Sequence, residues 1–161
     1  MLHRYLTRLT MIGVVLTLGA CGEGDKTGPE DIIWDRDQGE LCSMLISDPR
    51  FAAEVRGGEK KTLYKFDDIG CAINWLNRQP WSGDAATEIW VADYTSTREQ
   101  VLWHNAREAR YVGGKISPMD YGFGAVAPST PASGEALGIG FVALTTQILG
   151  GKPNHICTVP E

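Results

Sequence analysis

Apolar and polar residues alternate or recur along the chain in patterns that predict both strands and helices. Strand-like alternation marks three segments, at residues 62–66, 88–94 and 100–104. Directly after the first of them, four apolar residues recur at helical spacing: Ile69, Ala72, Ile73 and Leu76. Asp67 or Asp68 has a side chain able to cap the start of that helix. The pattern therefore predicts an α+β fold.

The second half of the chain carries weaker patterns. Residues 105–112 are compatible with a short helix, and residues 122–127 form a small, tight segment. Residues 134–149 are the longest apolar stretch of the body and predict a buried C-terminal helix, despite three glycines. A Gly-Gly pair recurs in residues 55–58 and 111–115, each time before a similar segment. Two related β-rich halves would explain this repeat, and so would one turn type used twice.

The first twenty residues have the pattern of a lipoprotein signal peptide. Arg4 and Arg8 give a basic start, and residues 11–18 form an apolar run too short to span a bilayer. The run closes with the sequence LGAC, which resembles the bacterial lipobox. We therefore expect residues 1–20 to be removed and Cys21 to carry a lipid on its thiol. An ordinary secretory signal with an incidental cysteine is the alternative.

Charge distinguishes the next segment from the rest of the chain. The whole sequence has a formal charge of −5, and residues 22–40 hold seven acidic and two basic residues. We expect residues 21–40 to be a lipidated acidic tether and residues 41–161 to be the folded domain. No apolar run of about 18 residues predicts a spanning helix, and the acidic balance gives no electrostatic basis for binding nucleic acid. Gly22, directly after the lipidated cysteine, favours the outer membrane over the inner one.

The cysteines and methionines indicate which kind of metal ion the domain could bind. Of the 4 cysteines, three remain after Cys21, so in an oxidising compartment one must stay free, bind a metal or bridge to a partner. Cys42 and Met44 are two residues apart, which in an extended segment directs a thiolate and a thioether to the same side. Both are soft donors that prefer Cu(I) to calcium or magnesium. The alternative is that both are ordinary core residues.

The sequence gives less support to the other cysteines and to the histidines as functional residues. A disulfide between Cys71 and Cys157 would clamp the C-terminus onto the predicted helix and leave Cys42 as the odd thiol. His104 and His155 lack the spacing of an established metal motif. The sequence lacks four motifs that are typical of enzyme active sites, so we expect no enzymatic activity. These motifs are Gly-x-Ser-x-Gly, His-Glu-x-x-His, the P-loop and Cys-x-x-Cys.

Six sequence blocks follow the lipobox in a fixed order between residues 42 and 127. They are CSM at 42–44, RFAAEV at 50–55, YKFDDIGC at 64–71, WVADY at 90–94, AREARYV at 106–112 and PMDYGFGA at 118–125. Together they resemble the NosL family, the copper-binding lipoproteins that serve as nitrous oxide reductase accessory proteins. Several blocks in one order are far more specific than any single motif.

The resemblance implies a lipoprotein of the cell envelope that faces the periplasm and binds one Cu(I). It implies delivery of copper toward the copper-sulfide centre of nitrous oxide reductase, together with the membrane-bound complex that matures that centre. The implied fold is two small ββαβ-like units packed together. Carried onto this sequence, the metal ligands are Cys42, Met44 and Met119. A structural or interaction lipoprotein without metal is the alternative, because each of these residues also has a core interpretation.

Two positions depart from the family pattern. Many relatives have a second cysteine three residues before the motif cysteine, where this sequence has Gly39, and a glycine where it has Ser43. The first departure argues against a Cys-x-x-Cys site and leaves one thiolate with two thioethers as the predicted donors. The resemblance is weaker after Pro128, so it assigns no role to His155 or Cys157.

Overall fold

The computed structural model describes residues 26–129 and 138–151. These ranges hold six strands and two helices, in the order β1 (Ala53–Gly57), β2 (Thr62–Phe66), α1 (Ile69–Leu76), β3 (Glu88–Ala92), β4 (Trp103–Asn105), β5 (Arg110–Val112), β6 (Gly124–Val126) and α2 (Phe141–Gly150). The mixture confirms the predicted α+β fold class. None of the helices in these ranges has the length and apolar character needed to cross a bilayer. The predicted signal peptide and Cys21 lie outside the described residues.

Four strands form an antiparallel sheet in the order β2-β1-β3-β4. Val55, on the central strand β1, pairs with Tyr64 of β2 and with Ile89 of β3. Because alternate residues of a strand point to opposite faces, one face of β1 carries Val55 into the hydrophobic core and the other carries Glu54. The three predicted strands correspond to β2, β3 and β4, although β4 is shorter and later than expected. The sequence patterns did not identify β1.

Helix α1 is confirmed where the apolar spacing predicts it. Asp68 is the residue that caps it, because its side chain accepts a hydrogen bond from Gly70 N at 2.9 Å. The predicted apolar residues are all buried: Ile69, Ala72, Ile73 and Leu76. The cap fixes Asp67 just before the helix and Cys71 within its first turn.

The first ββαβ unit is present in full as β1-β2-α1-β3. The second unit repeats the ββα part of that order as β5-β6-α2, with its two strands antiparallel. The second glycine of each Gly-Gly pair has a left-handed backbone, with φ of 75° at Gly58 and 74° at Gly114. Glycine adopts this conformation without strain. The left-handed glycine of each pair therefore follows the first strand of its unit.

Residues 105–112 are not helical, contrary to the prediction. A turn follows β4, and the chain then enters β5, where Tyr111 pairs with Ala125 on one side and with Ile139 on the other. Tyr111 is buried, and its hydroxyl donates to the Ala106 carbonyl at 2.7 Å. These partners are distant in sequence or across a turn, so local propensity does not reveal them.

Helix α2 begins later than the apolar stretch predicts. It starts at Phe141, whereas Ile139 makes backbone hydrogen bonds with Tyr111 as a short extension of the second sheet. A Cβ atom at Gly138 would lie 2.8 Å from the Tyr111 carbonyl oxygen, so this glycine permits close pairing with β5. Residues 134–137 of the predicted helix lie outside the described residues.

The polar face of the sheet is covered by residues 27–37, which we name the N-terminal strap. Hydrogen bonds join the strap to three strands: Gly28 N to Glu88 Oε2 (2.7 Å), Glu30 N to Glu54 Oε2 (2.9 Å), Arg56 Nη2 to Glu30 Oε1 (2.9 Å) and Lys65 Nζ to Asp37 Oδ2 (2.7 Å). Ile32 of the strap is buried. The folded domain therefore begins before the predicted boundary at residue 41. Arg56 and Lys65 pair with Glu30 and Asp37, and the prediction places both acidic residues in the tether.

Glu54 is the least satisfied group beneath the strap. It is fully buried, and among the described residues its Oε1 has no hydrogen-bond partner. Burial raises the pKa of Glu54 to about 7 from an ordinary value of 4.5. The folded state therefore holds this proton more tightly than the unfolded state does, and stability is lost as the pH rises from about 4.5 through 7.

We predict that Glu54→Gln increases the free energy of unfolding at pH 8 by up to about 3 kcal/mol, because glutamine cannot ionise. Near pH 4.5 the variant and the parent protein should differ little, since Glu54 is then protonated in the folded state. Urea denaturation at both pH values measures the difference, and Glu59→Gln on an exposed turn is the matched control. An effect of equal size at both pH values would contradict the prediction.

Candidate metal site between the 39–44 loop and helix α1

Cys42 lies in a tight loop formed by residues 39–44. Gly39 N donates to the Met44 carbonyl at 2.8 Å, and Ser43 N donates to the Gly39 carbonyl at 2.8 Å. Ser43 has a left-handed backbone with φ of 57°. The segment is therefore a turn and not an extended strand, so spacing alone does not direct Cys42 and Met44 to one side. Cys42 is half-buried, whereas Met44 is 46% exposed.

The start of α1 faces this loop and supplies two further candidate ligands. Asp67 and Cys71 are both buried, and one ligand atom from each lies within 4.8 Å of the other and of Cys42 Sγ. The Cys42 thiol donates to Asp67 Oδ1 at 3.5 Å. Glu40 N donates to the Lys65 carbonyl at 2.9 Å, which holds the loop beside the end of β2. Two thiols and one carboxylate thus meet between segments that are about thirty residues apart.

Gly39 leaves room for this cluster. A Cβ atom at position 39 would lie 2.9 Å from Cys42 Sγ and 3.4 Å from Asp67 Oδ1. A Cβ atom there would therefore press on the Cys42 sulfur, whereas its distance to Asp67 is that of an ordinary contact. A second thiol reaches Cys42 from helix α1, where Cys71 lies.

Hydrogen bonds adjust the acidity of the cluster. The pKa of Cys42 is lowered chiefly because the Cys71 thiol donates to the Cys42 sulfur, and the Met44 N–H, 3.4 Å from that sulfur, acts in the same direction. Burial of Cys42 and the nearby Asp67 oppose this shift. Burial raises the pKa of Asp67, against the effect of the hydrogen bond that it accepts from the Cys42 thiol. The lowered pKa disposes the Cys42 thiol to ionise, as a metal ligand must.

Met119 meets the start of the same helix through its backbone, which interacts with Asp68. Its side chain is fully buried in the hydrophobic cluster that contains Cys71 and against which Cys42 packs. The Met119 backbone N–H and the Ser117 side chain interact with the Asp68 carboxylate and lower its pKa, while burial raises it to about 6. Met119 is thus near the cluster in the fold, but it occupies a core position, whereas Met44 is at the surface.

His104 stands apart from this cluster. His104 Nε2 lies 2.8 Å from Asp93 Oδ2 on the sheet, and the group formed by Cys42, Asp67 and Cys71 does not include it. His155 and Cys157 lie outside the described residues, and with them the predicted Cys71–Cys157 disulfide.

Sequence reasoning missed Asp67 and Cys71 as members of the site. The sequence patterns predict Asp67 only as a possible helix cap and Cys71 only as one half of a disulfide. One signal was available, because positions 67 and 71 are four residues apart at the start of a predicted helix and therefore share a face. The approach of the 39–44 loop to that face is a long-range contact that no spacing in the sequence encodes.

We predict that Cys71→Ala shifts the ionisation of Cys42 to higher pH, because alanine removes the hydrogen-bond donor that stabilises the thiolate. Cys71→Ser keeps a donor and should remain closer to the parent protein, which makes it the matched control. The rate of Cys42 alkylation by iodoacetamide, followed against pH by mass spectrometry in the presence of a chelator, measures the shift. Identical pH profiles for the alanine variant and the parent would show that Cys71 does not influence Cys42.

Comparison with known proteins assigns the chain to a family. A search of curated proteins found no match. The family model NosL matches residues 32–130, which is more than half of the chain and includes the 39–44 loop, α1 and Met119. The match begins within the N-terminal strap, in agreement with the packed position of that segment. The resemblance seen in the sequence blocks is thereby confirmed, and the protein belongs to the NosL family.

Proposed function

We propose that this protein is a lipid-anchored Cu(I) carrier that faces the periplasm and delivers copper for the copper-sulfide centre of nitrous oxide reductase. The observation that carries the proposal is the meeting of the Cys42 and Cys71 thiols beside Asp67 in a chain of the NosL family. Cys21 is the proposed point of lipid attachment, with the outer membrane as its site. The membrane-bound complex that matures nitrous oxide reductase is the proposed partner in transfer.

The chemistry of the donors fits Cu(I) better than harder ions. Thiolates and thioethers are soft ligands, and a carboxylate suits magnesium, calcium or manganese. Metal–thiolate bonds are about 2.3 Å long at zinc sites, so two sulfurs on opposite sides of one ion would lie about 4.6 Å apart. The Cys42 and Cys71 sulfurs lie within 4.8 Å of each other, which is compatible with a shared ion. Asp67 is better suited to accept the protons that the thiols release.

We assign Cys42, Met44 and Met119 as the ligands of the copper cargo, with Cys71 as a further thiol at the same site. Cys42 supplies the negative charge that balances Cu(I), and the methionines add neutral donors that release the ion more readily. The exposure of Met44 makes it accessible to a partner, while Cys71 and Met119 lie on the buried side. Stepwise exchange of ligands from the exposed side would allow copper to leave without unfolding the domain.

Substitution of the ligands tests this assignment. We predict that Cys42→Ser weakens Cu(I) binding at least about 100-fold, and that Met44→Leu and Met119→Leu each weaken it about 10-fold. Competition with a chromophoric Cu(I) chelator under anaerobic conditions measures these affinities. Cys157→Ser is the control for the loss of a cysteine that this assignment leaves out of the ligand set. If Met119→Leu binds copper as well as the parent does, Met119 is a packing residue and the site consists of Cys42, Met44 and Cys71.

The competing function is an envelope lipoprotein that binds no metal. The complete burial of Cys71 and Met119 is the observation that favours it, because both side chains also serve the core. Elemental analysis after anaerobic loading and gel filtration separates the two functions. One copper per chain supports the carrier, and a protein that elutes without copper would leave only the structural role.

A further inference from the structure

The Cys42 and Cys71 thiols are also placed to react with each other. Their sulfur atoms lie within 4.8 Å, one on a surface loop and the other in the first turn of a buried helix. A disulfide bond is about 2.05 Å long, so the two sulfurs must approach by up to about 2.7 Å to bond. Cys42 is on the solvent-facing side of the pair, because its side chain is half-buried and Met44 beside it is 46% exposed.

We propose that Cys42 and Cys71 form a reversible disulfide when the protein meets a small-molecule disulfide, and that this bond closes the copper site. The disulfide rests on the position of the two thiols alone. Its effect on copper rests on the function proposed above, because a Cys42 sulfur bonded to Cys71 is no longer a thiolate ligand.

The reaction is two successive thiol–disulfide exchanges. Cys42, the accessible thiol, attacks one sulfur of the oxidant; the oxidant's S–S bond breaks and its first thiolate leaves with the Cys42 proton. Cys71 then attacks Cys42 Sγ, and the bond between Cys42 and the remaining half of the oxidant breaks. The second thiolate leaves with the Cys71 proton. The two protein thiols lose two electrons in total, and the oxidant is reduced to two thiols.

Asp67 is the group placed to carry the second proton. Its carboxylate has an oxygen within 4.8 Å of both sulfurs and already accepts a hydrogen bond from Cys42. Cys71 is fully buried, so water cannot readily take its proton. Asp67 can accept that proton as Cys71 attacks and return it to the departing thiolate. The same three side chains therefore supply an accessible nucleophile, a buried second thiol and a base.

The sequence allows a direct test, because trypsin separates the three cysteines of the mature chain. Cys42 falls in the peptide of residues 37–50, Cys71 in residues 66–78 and Cys157 in residues 116–161. The full-length protein, reduced and freed of copper, is incubated with oxidised glutathione, alkylated, digested and analysed by mass spectrometry. We expect a species that joins peptides 37–50 and 66–78 and disappears after treatment with dithiothreitol. The Cys157→Ser variant should retain this species, and Cys42→Ser and Cys71→Ser should lack it.

Other products would overturn the proposal. These are a link from peptide 66–78 to peptide 116–161, glutathione retained on Cys42, or three unmodified thiols. Copper binding is measured separately on the reduced and oxidised proteins, and the oxidised form should bind Cu(I) at least about 100-fold more weakly. If the disulfide forms but the reduced protein binds no copper, the disulfide stands and the proposed function fails. If the reduced protein binds copper and no disulfide forms, only the disulfide is wrong.

Discussion

Two adjacent buried aspartates connect helix α1 to the two loops that carry the candidate sulfur ligands. Asp67 accepts a hydrogen bond from Cys42 in the 39–44 loop, and Asp68 caps the helix while it interacts with the backbone N–H of Met119. A buried carboxylate is costly unless polar groups surround it, so each aspartate favours the close approach of its loop. The position of the site therefore depends on how the start of α1 is capped.

This arrangement gives the site an exposed side and a buried side. Met44 and the half-buried Cys42 face outward, whereas Asp67, Cys71 and Met119 are enclosed by the core. A carrier needs such a division, because the buried donors restrict access to the ion and the exposed donors are available for exchange. The same division distinguishes the two thiols in redox chemistry, since a small disulfide reaches Cys42 first. In the proposed function and the proposed disulfide, metal binding and disulfide formation compete for one sulfur atom.

The parts of the fold that the sequence predicts are those determined by local spacing. Helix α1 is one of these, because its buried residues recur at helical spacing and an aspartate precedes them. Strand β1 was missed because Glu54 and Arg56 are buried under the strap, and their partners are 24 and 26 residues away. Tyr111 was placed in a helix because its strand partners at positions 125 and 139 are likewise distant.

The candidate site likewise depends on contacts between residues that are distant in the sequence. The family motif identified Cys42, and the structure sets that residue in a group of side chains with the geometry to hold a metal ion. Cys71 also ends one of the family-like blocks, at residues 64–71, but that block assigned it no metal role. Its place beside Cys42 follows from the contact between the 39–44 loop and α1. The argument that Cys42 and Met44 share a face assumed an extended segment, and the left-handed backbone at Ser43 removes that assumption. The ligand roles of Met44 and Met119 stay predictions.

Copper K-edge X-ray absorption of the reduced full-length protein, loaded anaerobically with one equivalent of Cu(I), tests the central claim most directly. The account predicts a first shell made only of sulfur at about 2.3 Å, with fewer sulfur neighbours in the Cys42→Ser variant. A first shell dominated by nitrogen or oxygen, and unchanged by that substitution, would place the copper elsewhere and contradict the assignment of Cys42 as its ligand.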